Sequence, residues 1–126
     1  MSFSNYLETE LLDHVFAGNA YTSPSTVYVG LFTSNPDEDG SGTEVSGNGY
    51  TRKAGTFSVT GNTATTTAAV EFPTATGSWG TITHIGIYDA STGGNLLAYA
   101  ALTASKAIAS GDVFRIPTGD IDITLD

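Results

Sequence analysis

The chain has 126 residues, with thirteen Asp and Glu against four Lys and Arg, a formal net charge of −9 and no cysteine. A length near the usual domain size of about 100 to 150 residues implies one domain spanning 1–126, able to fold without disulfides or a thiolate metal site. The acidity excludes nucleic acid and anionic membrane surfaces as partners, since both are held through clustered Lys and Arg and the one adjacent basic pair is Arg52-Lys53.

The N-terminus lacks the basic segment and apolar core of a signal peptide, so synthesis in a cytoplasm is expected. No apolar run approaches the roughly 20 residues that span a bilayer. Phe3, Leu7, Leu11 and Val15 recur at helical spacing, with Leu12 and Phe16 widening the stripe, and predict a helix over 2–17. Ser2 or Ser4 can cap its first turn, Glu8 and Glu10 suit the positive end of its dipole, and Gly18 offers a left-handed stop. So short a helix is marginal alone, so the stripe is expected to be buried against the rest of the chain or a neighbouring subunit.

From Thr26 the period changes to two. Val27, Val29 and Leu31 alternate with Tyr28, Gly30 and Phe32, apolar on both faces, as in a strand inside a sheet. It ends at Asn35-Pro36. Residues 37–49 then read as an acidic, glycine-rich loop with nothing to bury, expected to be the most mobile segment. Further strands are predicted over 50–60, 64–72, 81–88, 95–102, 112–116 and 121–125, with turns at Gly61-Asn62, Pro73 to Gly80, Ala90 to Gly94 and Pro117-Thr118-Gly119. About seven short strands without helical crossovers predict an all-β, antiparallel β-sandwich over 26–126, carrying one N-terminal α-helix.

Few residues suggest chemistry. Asp37, Asp39, Ser41 and Gly42 match the opening of a calcium loop, but Asn48 stands where the final bidentate Glu is required, so no metal is expected. His14 and His84 are the obvious groups for proton transfer at neutral pH, yet no nucleophile elbow or phosphate-binding glycine loop accompanies them. No catalytic residues and no cofactor are predicted. Asp120, Asp122 and Asp126 read as the solvated face of a strand, with a cation or a basic partner as the alternative. Trp79, Tyr88 and Tyr99 fit a core or an interface, with a sugar-stacking platform as the alternative.

Several segments together resemble a family of short tailed-phage and prophage proteins commonly labelled tail-fibre-like. They are Asn5-Tyr6-Leu7-Glu8, Leu11 to Phe16, Val29 to Thr33, Gly49-Tyr50-Thr51-Arg52, Glu71-Phe72-Pro73, Trp79 to Ala90, Gly94 to Leu97 and Ile123 to Asp126. The run Trp79 to Ala90 is the most specific, because strand alternation alone does not require Trp-Gly before it or Tyr-Asp-Ala after it. The resemblance implies a structural component of a phage virion, made in the host bacterial cytoplasm. With no heptads and no fibrous repeat, the chain cannot build a long shaft by itself.

The reading is a non-enzymatic virion protein, either a capsid decoration subunit or a small tail or tail-fibre component. Its expected partners are other copies of itself, as a homo-oligomer, and phage capsid or tail proteins. A receptor- or glycan-binding module of the tail is the alternative. Candidate interface residues are Phe3, Leu7, Leu11 and Val15 on the helix, Asp37 and Asp39 in the acidic loop, Trp79, and Asp126.

Overall fold

The computed structural model describes residues 1–125. Its first elements are a two-residue strand β1 (Ser2–Phe3) and the helix α1 (Asn5–Phe16). The helix is thus shorter than 2–17, because Ser2 and Phe3 pair with a strand instead. Ser4 makes the junction: its hydroxyl accepts from Leu7 N at 3.1 Å as the N-cap, and it also donates to the carbonyl of Leu96. Burying Ser4 while bonding both ways fixes where the helix begins.

The stripe is not buried. Phe3, Leu7 and Leu11 are half-covered, whereas Leu12, Val15 and Phe16 are 60%, 63% and 82% exposed. Exposure rises along the helix because its beginning is tied down, to the sheet through Ser4 and to the acidic loop through Asn5 N, which donates to Glu38 O at 2.9 Å.

Nine strands follow: β2 (Val27–Phe32), β3 (Lys53–Gly55), β4 (Phe57–Thr60), β5 (Thr63–Thr66), β6 (Val70–Glu71), β7 (Gly80–Tyr88), β8 (Leu96–Ile108), β9 (Arg115–Ile116) and β10 (Asp122–Thr124). They form a five-stranded sheet in the order β1-β8-β7-β2-β3, a three-stranded sheet β10-β5-β4, and a β6-β9 ladder, all antiparallel. The stretch read as one strand over 50–60 divides at Thr56, and the sheet changes there. Gly61-Asn62 closes the β4-β5 hairpin as a two-residue turn, with Gly61 at φ 61°.

The two faces of β2 feed two clusters, as its double apolar alternation required. Val29 and Leu31 join Ile85, Ile87, Ala98, Phe72 and Phe114 in the main core between the sheets. Phe32 joins Tyr88 and Leu96 in a smaller cluster on the opposite face. The acidic loop feeds the main core, where Val45 packs. Contrary to the expectation that it buries nothing, it contributes buried Val45, and Glu44 pairs with Phe32 in an isolated β-bridge.

Candidate functional site

Opposite each other in neighbouring strands, Gly30 of β2 and Gly86 of β7 leave a side-chain-free strip on the outer face of the sheet. A Cβ on Gly30 would lie 2.9 Å from Glu44 Oε2, and one on Gly86 would lie 2.9 Å from both Leu96 Cδ1 and Phe32 Cε1. Neither position can carry a side chain without displacing its neighbours. Glycine inside a strand marks such close approach.

Into this strip the loop delivers Glu44, and Tyr50 and Arg52 meet it. Arg52 grips the carboxylate with both arms, Nε to Oε2 at 2.9 Å and Nη2 to Oε1 at 2.8 Å. Tyr50 donates its hydroxyl to Oε2 at 2.6 Å and accepts from Leu31 N at 3.0 Å. Arg52 Nη1 donates to the carbonyls of Ala90 and Gly93 at 2.9 and 2.7 Å, so the β7-β8 turn is bound too. The guanidinium lies 3.6 Å above the Tyr88 ring, which stacks in turn on Phe32. A planar fork with five donors fits this bidentate, stacked position, and a lysine would not.

The electrostatics follow the geometry. Burial raises the pKa of Tyr50, and its hydrogen bond to Glu44 raises it further. Burial opposes the charge on Arg52, but the hydrogen bonds and charge of Glu44 outweigh it and raise the Arg52 pKa. Tyr88 is raised by burial and by the charge of Glu44. The carboxylate is already neutralised by a cation and shielded by a phenol, so the cluster acts as a brace between three chain segments.

Trp79 is interior. It is 4% exposed, donates its indole N–H to Asn48 O at 2.9 Å and meets Tyr50 edge-on at 5.5 Å. It is not a surface contact, because its rings are buried and its single donor is already satisfied by a backbone carbonyl brought from a distant part of the chain. Tyr88 is buried as well and Tyr99 half-buried, so these three aromatics form no exposed platform for a sugar.

Asp37 and Asp39 are exposed on the loop beside the start of α1. Asp37 takes φ 54°, and its N–H donates to Asn35 Oδ1 at 2.9 Å. Asp39 Oδ1 accepts from Ser41 N at 3.0 Å, and its hydrogen bonds to Ser41 hold its carboxyl below the usual range. Among the described residues, no group of three His, Asp or Glu side chains is placed to hold a metal ion, and no helix is long and apolar enough to cross a membrane. The structure thus brings the helix start and the acidic loop together through Asn5 and Glu38, leaves Val15 alone at the far end of α1, and places Trp79 inside. Asp126 lies outside the described residues.

The brace was not assigned from sequence, although its signal was there. A glycine in the middle of an otherwise apolar strand and the segment Gly49-Tyr50-Thr51-Arg52 are both parts of it. No curated protein matches the chain. Residues 2–124, however, match the family described as Podophage GP4 fiber I protein gp80, which spans the helix, the brace and all ten strands. The chain belongs to the podophage GP4 fiber I protein gp80 family.

Proposed function

We propose that this chain is a non-enzymatic structural subunit of a podophage virion, located at the tail fibre apparatus, where it assembles with copies of itself and with other tail proteins. The observation that carries this reading is the family match across residues 2–124, the description of which is a fibre protein. That description favours a tail position over capsid decoration.

The character of the polar groups supports it. The ion pair of Glu44 and Arg52 is consumed in bracing the fold, and the large exposed side chains include apolar ones suited to contact. Gold-labelled antibody against the chain, imaged on intact particles, tests the position: label at the tail is expected. Label confined to the capsid would overturn the tail assignment, and label absent from particles that are unchanged on deletion of the gene would overturn the virion assignment. A panel of chromogenic ester and glycoside substrates is expected to be left intact; specific turnover lost on substitution of a single residue would overturn the non-enzymatic reading.

A further inference from the structure

Of the six asparagines in the chain, Asn48 is the one followed by glycine. That pair is the most prone to deamidation, because no side chain on the second residue hinders its backbone nitrogen. In the reaction Gly49 N gives up its proton and attacks Asn48 Cγ, the new N–C bond closes a cyclic imide, and Nδ2 leaves with a proton as ammonia. Water then opens the imide at one carbonyl or the other and leaves aspartate or isoaspartate.

The backbone selects both residues. Gly47, Asn48 and Gly49 take φ of 76°, 52° and 82° in succession. Glycine enters the left-handed region freely, and Asn is one of the few other residues that does so. A Cβ on Gly49 would also lie 3.3 Å from Thr74 O. The turn leading into Tyr50 and the brace therefore places a reactive pair on an exposed surface.

The same turn holds the reacting atoms still. Asn48 O accepts from Thr76 N at 3.0 Å and from Trp79 Nε1 at 2.9 Å, which fixes the peptide plane that carries Gly49 N. Asn48 Nδ2 donates to Ser78 O at 2.9 Å, which fixes the side-chain amide. Gly77 lies against that amide, and a Cβ there would come within 2.7 Å of both Cγ and Oδ1 of Asn48. Gly77 is not one of the left-handed glycines, so this close approach accounts for its missing side chain. Ring closure needs rotation of the Asn48 side chain and of the peptide plane that follows it. Both are anchored to residues 76–79.

We propose that Asn48-Gly49 is a deamidation site that the native fold keeps shut, and that it reacts when the turn at residues 76–79 separates from it. The product no longer fits the seat. A carboxylate at position 48 accepts hydrogen bonds only, so it faces the Ser78 carbonyl without a donor between them. Isoaspartate lengthens the main chain next to the carbonyl that holds Trp79. Each opening that leads to reaction thus leaves a permanent mark on the chain, wherever on a particle it sits.

Parent chain is kept at mildly alkaline pH, either folded or in concentrated urea, then digested, and conversion at position 48 is read by mass spectrometry. The folded chain is expected to react at least about tenfold more slowly, because reaction then waits on local opening. Equal rates would overturn the proposal, and this comparison requires no variant to fold. In urea, Gly49→Ala is expected to slow the conversion; an unchanged rate would overturn attack by Gly49 N. Gly77→Ala, whose added methyl displaces the amide, is expected to react faster than the parent under conditions where circular dichroism shows both folded. A folded Gly77→Ala chain that reacts at the parent's rate would overturn the anchoring by residues 76–79.

Discussion

The brace around Glu44 and the free end of α1 use side chains of similar size for opposite ends. At the brace, Glu44, Tyr50 and Arg52 are drawn together until their polar atoms are matched, and Phe32 and Tyr88 shield them. At the helix end, Leu12, Val15 and Phe16 face water with nothing to cover them. The first region is finished within one chain. The second has no cover among the described residues, so if the proposed assembly uses it, substitutions in the two should separate stability from assembly.

The largest loss is expected at Trp79. Replacing it with alanine empties a buried site next to Tyr50 and removes the donor to Asn48, costing about 3 to 5 kcal/mol in urea unfolding. A loss below about 1 kcal/mol would mean that the indole is not packed as described.

Glu44→Ala comes next. It leaves Arg52, whose side chain is 8% exposed, without its counter-ion, and Tyr50 without its acceptor. Because Glu44 itself is 23% exposed, the loss should fall at or just below the range for fully buried pairs, about 2 to 3 kcal/mol. Its effect and that of Arg52→Ala should be strongly non-additive in a double-mutant cycle; simple additivity would show that the two side chains act separately.

Much of the fold was legible in the sequence, and the reasons differ between elements. β2 and β7 could be read because their alternation is dictated by core on both sides, and the β4-β5 hairpin because Gly61-Asn62 admits few other conformations. The helix was legible as a helix but not as an exposed one. A stripe at spacing four shows that one face is apolar; it cannot say whether the covering surface belongs to the same molecule. β1 was lost because two residues have no period, and its pairing depends on Ala98 and Tyr99 far along the chain. The brace escaped for the same reason: Glu44 reaches Arg52 only once β2, β7 and the turn at Ala90 to Gly93 are in place. Reading Gly30 as a contact point, rather than as a gap in an apolar strand, was the available clue.

Tyr50→Phe probes the brace more gently. It leaves Leu31 N–H and one Glu44 oxygen without this partner, for about 1 to 2 kcal/mol near neutral pH. The sign of its pH dependence follows from the raised pKa. The folded state holds the phenolic proton more tightly than the unfolded state, which releases it near pH 10. The stabilisation is therefore complete below about pH 10 and is lost as pH rises through the higher folded value. The parent should lose stability there more steeply than the variant, with tyrosinate absorbance from Tyr50 appearing only on unfolding. Parallel alkaline profiles would count against the assigned hydrogen bonds.

The smallest effect on stability is expected from Phe16→Ser, and that smallness sharpens the contrast most. A ring 82% exposed has little contact to lose, so in dilute solution the variant should unfold within about 0.5 kcal/mol of the parent. At high concentration the two should diverge. Association that requires the folded chain stabilises it by mass action, so the parent's melting temperature should climb with protein concentration while that of Phe16→Ser stays nearly flat. Two results would break the comparison. A large loss in dilute solution would mean that Phe16 is covered within the monomer, and an equal climb in both proteins would mean that association uses another surface. The intended result ties an exposed phenylalanine to assembly by showing that it contributes to stability only when a second copy is present.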